Sequence, residues 1–293
     1  MDNFIVLYNP LAGNGTAQDK MRELESLMQG DRLYFSNMLD IRDYGAFFND
    51  MPDGASIIIC GGDGTLNRFL NDTEDIRPDC DIYYYPSGSG NDFARDIGAE
   101  RGAPPVLINR YIERLPKICV NGKEHRFING IGYGIDGYCC EKGDELRGKG
   151  NGEVNYTAIA IKGLLFHYKP TGATITVDGV EHRFEKVWLA PTMIGRYYGG
   201  GMMPTPEQDR LNGDGAVSVM VYYGSGKLKS LSVFPSIFKG EHIKHSEMVA
   251  VLSGRNITVC FDEPRPLQID GETVPGVREY SVTACEEKVL QPA

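Results

Sequence analysis

The chain has 293 residues, 41% of them apolar and 24% charged, an ordinary globular composition with room for two domains. Its formal net charge of −10 argues against a general nucleic-acid binder and against adsorption of the whole surface to anionic lipid, so a membrane contact needs a local basic patch. The longest apolar stretch, Tyr156 to Phe166, is too short to span a bilayer; the N-terminus lacks a basic n-region; and the seven cysteines, without C-x-x-C spacing, suggest a reducing cytoplasm rather than a disulfide framework or zinc site.

The first third repeats an apolar strand, a Gly-rich turn and a helix. Phe4 to Leu7 leads into Asn9-Pro10-Leu11-Ala12-Gly13-Asn14-Gly15 and a helical stretch through Met28. Ala55 to Cys60 leads into Gly61-Gly62-Asp63-Gly64-Thr65, and Ile82 to Tyr85 into Pro86-Ser87-Gly88-Ser89-Gly90-Asn91-Asp92. Such alternation predicts an α/β unit with a parallel sheet, whose ligands bind beyond the carboxyl ends of the strands, where all three loops fall. From about Val106 strands dominate: Lys117–Val120, Arg126–Ile128, Thr174–Val177, Glu185–Pro191, Ala216–Tyr223, Asn256–Phe261, Leu267–Ile269 and Glu279–Ala284. Asn121-Gly122, Asp178-Gly179 and Asp270-Gly271 read as hairpin turns between them. Helical insertions are expected near Val154–Tyr168 and Leu228–Phe238. The boundary is expected near residue 120: an α/β unit over 1–120, with the tail 284–293 able to complete it, and a mostly antiparallel β-sandwich over 121–283.

The glycines of Gly61-Gly62-Asp63-Gly64-Thr65 let backbone N–H groups face a phosphate, and the following helix adds its positive N-terminal end. Asp63 would repel that phosphate unless Mg²⁺ or ordered water lies between them, while Thr65 offers a hydroxyl and a cap. The same residues also make a plain tight turn. In the later loop Ser89 can bond a phosphate oxygen, Asn91 reads as an N-cap, and Asp92 either joins a metal and water network or pairs with Arg95. Three such loops at one sheet edge, with two acids among them, point to a nucleoside triphosphate with Mg²⁺. No G-x-x-x-x-G-K-[ST] occurs, and Ile135 spoils a G-x-G-x-x-G starting at Gly130, so neither a P-loop nor a dinucleotide fingerprint is present.

Asn9-Pro10…Gly13, Gly61 to Asn67, Pro86 to Arg95, Asn129 to Gly134, Gly199 to Pro204, Asp214-Gly215 and Asp270-Gly271-Glu272 follow one another as in the bacterial diacylglycerol kinases and their sphingosine and ceramide kinase relatives. The chain resembles that family over nearly its whole length. The resemblance implies an ATP-binding N-terminal domain, a β-sandwich that closes over the cleft, and Mg²⁺-dependent phosphorylation of a lipid alcohol, diacylglycerol by default. It also implies a cytoplasmic enzyme in transient contact with the membrane, and a homodimer is among its assemblies. Carried over by position, nucleotide binding falls to Gly62, Asp63, Gly64, Thr65, Leu66, Asn67, Arg68 and Ser89, with Asn9, Gly13, Asn91 and Asp92 beside them. Glu272 becomes the proton acceptor, with Asp270 next to it. A structural Mg²⁺ is implied on the Asp214 side chain and the carbonyls of Leu211 and Ala216. A lipid hydroxyl loses its proton as it attacks the γ-phosphate, which gives a carboxylate at position 272 a task.

Arg68 stands where family members usually carry Glu, and Ser89 where Thr is commoner; no adenine-contacting residue is assigned. Lys227, Lys229, Lys239, His242, Lys244 and His245 interleave with Leu228, Leu231, Val233, Phe234, Ile237 and Phe238. That segment reads either as a basic amphipathic patch for anionic lipid or, more simply, as a surface helix packing on the β domain. Two competing functions are a soluble-substrate kinase resembling NAD kinase, which shares G-G-D-G-T, and a non-catalytic nucleotide or lipid sensor disabled at Arg68.

Overall fold

The structure is a computed structural model and describes residues 2–10, 17–76, 78–88, 90–148, 159, 162–163 and 167–285. The chain divides into two compact units, Met1–Glu113 and Arg114–Ala293.

In the first unit β1 (Asn3–Tyr8), β2 (Arg32–Asn37), β3 (Ser56–Gly61) and β4 (Ile82–Pro86) are parallel, and β5 (Val106–Leu107) is antiparallel to β4. Their order is β2-β1-β3-β4-β5. The inner strands are continuous apolar runs because helices cover both faces. On one face Phe4, Val6, Ile58, Cys60 and Tyr85 pack with Leu24 of α1 (Ala17–Leu27). Alternation puts Tyr84 on the other face, where Phe93 of α4 (Asp92–Ile97) meets it edge-on at 5.6 Å. α2 (Tyr44–Asn49), α3 (Asp63–Asp72) and α5 (Asn109–Ile112) complete the unit. Leu66, Phe69 and Leu70 form the buried stripe of α3, at helical spacing. Strand order reverses between β1 and β3. That is the topological switch point at which open α/β sheets bind ligands, and the loops leaving it begin at Asn9 and Gly62.

The second unit holds β6 (Lys117–Val120), β7 (Lys123–Arg126), β8 (Gly130–Tyr133), α6 (Ile135–Gly148), β9 (Thr171–Val177), β10 (Val180–Val187), β11 (Thr192–Met193), β12 (Val217–Tyr222), α7 (Lys227–Val233), β13 (Val249–Gly254), β14 (Asn256–Ile269) and β15 (Glu272–Thr283). All of its strand pairs are antiparallel. β6, which a boundary at 120 leaves with the first unit, pairs with β15 and belongs to this sheet. In the tail 284–293, Ala284 donates to the Arg255 carbonyl at 2.7 Å and the Cys285 carbonyl accepts from Arg255, both within this unit; residues 286–293 lie outside the described residues.

The two strands read at 256–261 and 267–269 are one, β14. Its first half pairs with β9 and its last residues with β8, and its pairing with β15 shifts register between them. Such irregularities bend a strand so that it serves two halves of a sandwich-like sheet. The three turns form as read. Asn121-Gly122, Asp178-Gly179 and Asp270-Gly271 all have positive φ at both positions, the requirement of the tight hairpin turn that Asn-Gly and Asp-Gly satisfy.

Helix α6 was not anticipated. The insertion expected at Val154–Tyr168 lies mostly outside the described residues. At Leu228–Phe238, α7 continues into a 3-10 segment, Phe234–Lys239, whose inner side buries Ser230, Val233 and Ile237. Among the described residues no helix is long and apolar enough to cross a membrane.

Candidate functional site

The Gly-rich loops after β3 and β4 are built against each other. The Ser87 N–H donates to the Gly61 carbonyl at 2.9 Å. A Cβ on Gly88 would stand 2.5 Å from the Gly62 Cα, and one on Gly61 would overlap the Thr65 side chain. These glycines are therefore required by close approach of backbone to backbone or side chain. Gly64 is different, because a Cβ there would meet nothing within 4 Å. Local packing gives no reason for a glycine at 64, whereas a ligand lying on the first turn of α3 does. The first intrahelical bonds of α3 are those of Thr65 and Leu66 to the Gly62 carbonyl, so the N–H groups of Asp63 and Gly64 precede the helical ladder, at its positive end.

Asp63 joins the loops. Its Oδ2 accepts from the Asp92 N–H and its Oδ1 from the Phe93 N–H, both at 2.9 Å. It thus caps α4 from 29 residues upstream. The expectation that Asn91 caps this helix is corrected: Asn91 sits in the left-handed region at φ 51° and makes no side-chain cap. Its Nδ2 instead donates to the Gly88 carbonyl at 2.8 Å, which leaves Oδ1 buried without a hydrogen-bond partner near Gly62 and Gly88. Beneath the loops the Tyr84 phenol is pushed far above its usual range by burial and then by the Asp63 charge.

Among the other expected nucleotide residues, Asn9 follows β1 at the switch point. Thr65 and Asn67 are buried on α3, and the Leu66 side chain is fully buried in the core, so only backbone is available there. Arg68 is half-exposed and pairs with Asp72 one turn on, at 3.3 Å. Asp92 is buried at the start of α4. Gly13 and Ser89 lie outside the described residues.

An orphan acceptor at Asn91 and a carboxylate at Asp63, beside unblocked helix N–H groups, suit a triphosphate accompanied by a cation. Among the described residues no cluster of three or more acids, histidines or cysteines could hold a metal alone. The donor set therefore fits a Mg²⁺ that keeps waters and is carried largely by phosphates.

In the second unit Asp270 and Glu272 flank the β14–β15 turn. Asp270 is taken up by the fold: its carboxylate accepts from the N–H groups of Ile128 (2.6 Å), Asn129 (2.9 Å) and Gly130 (3.0 Å), and its own N–H donates to the Gly130 carbonyl. Through these bonds Asp270 anchors the turn. Glu272 is exposed at the start of β15.

The structural Mg²⁺ site does not fit the residues present. The Ala216 carbonyl accepts from Gln208 Nε2 and Asn212 Nδ2, both at 2.8 Å. The Asp214 carbonyl accepts from Arg255, its carboxylate accepts the Ala216 N–H at 3.3 Å, and Arg114 reaches the Gly213 carbonyl at 3.4 Å. The loop from Leu211 to Ala216 is thus tied by amide and guanidinium donors, with the two guanidinium groups on the Gly213 and Asp214 carbonyls beside the expected ligands.

One acid was missed. Asp136, in the first turn of α6, bonds Gln268 at 2.8 Å, and burial pushes its carboxyl up to about 6. Its place behind the glycines of β8 was the available signal.

Known proteins match this arrangement over both units. Residues 3–117 match the diacylglycerol kinase catalytic domain, and residues 129–286 the YegS C-terminal NAD kinase beta sandwich-like domain. A diacylglycerol kinase of Mycobacterium tuberculosis (strain ATCC 25618 / H37Rv) is 27% identical over 246 residues, 81% of this chain and 77% of that protein. The diacylglycerol kinase of Bacillus subtilis (strain 168) is 29% identical over 224 residues, 74% of this chain and 70% of that protein. The crystal structure of a diacylglycerol kinase from Bacillus anthracis str. Sterne, 18% identical, covers 97% of this chain and 94% of that one at a TM-score of 0.59, a likeness of fold.

Proposed function

The chain belongs to the bacterial diacylglycerol kinase and lipid kinase family, and on that premise we propose that it transfers the γ-phosphoryl group of ATP to the hydroxyl of a lipid alcohol, diacylglycerol first, with Mg²⁺ as cofactor. The observation that carries the nucleotide reading is the pair of interlocked Gly-rich loops after β3 and β4, beside the switch point, joined by Asp63, with Gly64 left open.

The roles divide by unit. In the first, the N–H groups at the start of α3 bind phosphate oxygens, and Gly64 lets the phosphate approach. Asp63 and Asn91 Oδ1 would hold Mg²⁺ or its waters. When bound, that ion supplies charge that offsets the phosphates. In the second, Glu272 accepts the proton of the attacking lipid hydroxyl. The hydroxyl oxygen bonds to the γ-phosphorus as the bond to the β–γ bridging oxygen breaks, and ADP leaves with that electron pair.

The partner surface is a lipid bilayer of anionic composition. Leu228 is 80% exposed and Phe238 47% exposed on the outer side of the helical segment 227–239, although the inner side already has its own buried residues. Lys227 and Lys239 flank them; Lys229 pairs with Glu247 and Lys244 with Glu241. An apolar ridge with basic flanks on a chain of net charge −10 supports docking of this segment at a lipid interface.

The test is γ-phosphate transfer from labelled ATP with Mg²⁺, offering diacylglycerol in mixed micelles, NAD, and no substrate. Transfer to the lipid is expected. Transfer to NAD alone replaces this reading with a soluble-substrate kinase, and ATP binding without turnover on any lipid alcohol replaces it with a sensor.

A further inference from the structure

Asp136 has no part in the roles above, yet the fold is arranged around it. Its Oδ2 accepts from Nε2 of Gln268, and Oε1 of the same amide accepts the Gly271 N–H at 2.6 Å. A backbone N–H can only donate, so the Gly271 contact fixes which way the Gln268 amide points, and its NH₂ must face Asp136. Gln268 is buried, and an amide left unsatisfied there is costly. Gly132 makes the room: a Cβ there would overlap Asp136 Oδ2 and stand 2.7 Å from Gln268 Nε2. A Cβ on Gly137 would overlap the Pro266 carbonyl, so only glycine lets α6 lie directly on β14. Further along the helix, Asp144 Oδ2 accepts from Thr273 Oγ1 at 2.7 Å. Helix α6 therefore grips the β14–β15 hairpin on both sides of Glu272, at Gly271 through Gln268 and at Thr273 directly.

We propose that Asp136 and Gln268 are positioning residues for Glu272, holding by hydrogen bonds the turn that carries it. This rests on the reading of Glu272 as the proton acceptor. The contact needs an acceptor oxygen at position 136 and not a charge, because a protonated carboxyl still offers a carbonyl oxygen to the Gln268 NH₂. That separates a positioning carboxyl from one that binds ligand or moves a proton: asparagine can replace the first and not the second.

The experiment follows turnover with ATP and diacylglycerol micelles together with amide exchange at Gly271, in the intact chain. Asp136→Ala and Gln268→Ala are expected to speed Gly271 exchange and to lower kcat by about 100-fold, the cost of a small misplacement of a reacting group, with the KM for ATP unchanged. Asp136→Asn is expected to restore both the protection and most of kcat. If Gly271 exchanges as in wild type in both alanine variants, the proposal is overturned. It is equally overturned if Asp136→Asn keeps Gly271 protected and still abolishes turnover, since the carboxylate then acts itself. Should Asp136→Ala fail to fold, Gln268→Ala and Asp136→Asn decide alone. Glu272→Gln serves as the separate control. Normal turnover in that variant removes the reading of Glu272 as base, while Gly271 exchange still decides whether Asp136 and Gln268 hold the turn.

Discussion

Replacing Asp63 perturbs two things at once, and the structure gives the size of the structural part. Its carboxylate accepts from the N–H groups of Asp92 and Phe93, partly buried and both at 2.9 Å. Asp63→Ala leaves those two donors unsatisfied at the start of α4. With roughly 1–2 kcal/mol for each charge-assisted cap bond, the loss is about 2–4 kcal/mol. For a unit of this size, about 4 °C per kcal/mol converts that to a fall in Tm of roughly 8–16 °C. Asp63→Asn keeps one acceptor oxygen and should lose about half as much. Thermal unfolding followed by far-UV circular dichroism measures both, with kinase activity assayed well below the lower Tm. An alanine variant that melts within about 2 °C of wild type would falsify the cross-loop cap and its energetics. An asparagine variant that is folded and inactive isolates the contribution of the charge to phosphoryl transfer.

Gly64→Ala should not lower Tm, since its Cβ meets nothing within 4 Å in a helical turn, yet should raise the KM for ATP; an unchanged KM would remove the phosphate from that turn. Gly88→Ala, which drives a Cβ to 2.5 Å from the Gly62 Cα, should destabilise the fold by about 1–3 kcal/mol in a denaturant titration. Burial raises the Asp136 carboxyl from 3.8 to about 6, so its contribution to stability is full below about pH 4 and is lost as pH rises through about 6. Asp136→Asn lacks that slope and should gain up to about 3 kcal/mol relative to wild type between pH 4 and 8, and equal slopes in urea unfolding would contradict the burial. Asp270→Asn should lower Tm, because three backbone N–H groups lose an ionised partner, whereas Glu272→Gln should lower kcat with Tm unchanged; the reverse pattern would exchange their roles. Leu228→Glu with Phe238→Glu should abolish co-sedimentation with anionic vesicles while turnover on micelles persists, and unchanged sedimentation would leave that face an ordinary exposed surface.

What could be read from the sequence was local. A strand of Ile57, Ile58 and Ile59 followed by two glycines and an acid specifies its own strand, turn and helix start, and Asn-Gly or Asp-Gly between alternating strands specifies a hairpin. Helix α6 escaped because Gly137 and Gly143 lower its helical propensity, and the reason for Gly137 is the Pro266 carbonyl more than a hundred residues away. Asn91 looked like a cap because caps are normally supplied by the adjacent residue; here the carboxylate comes from Asp63, at a distance no local pattern encodes. The Asp214 loop carries the short motif of a metal site, but Gln208 and Arg255, outside that motif, supply the donors that occupy its oxygens.

The acids that stood out for their motifs are separated by what already occupies their oxygens. Asp63 and Asp270 sit in the two most recognisable signatures, yet each spends its carboxylate on backbone N–H groups of a distant segment, Asp63 on the start of α4 and Asp270 on residues 128–130. Both order the loop in which they lie, which is a condition for binding or chemistry there. Asp136 is likewise committed, to an amide. Glu272, exposed at the end of a turn held on one side by Asp270 and on the other through Gln268, is the acid whose surroundings fix its position without consuming its carboxylate among the contacts described. A proton acceptor needs that combination of a fixed backbone and available lone pairs, which is what supports the proposal of Glu272 rather than its better-bonded neighbour as the base.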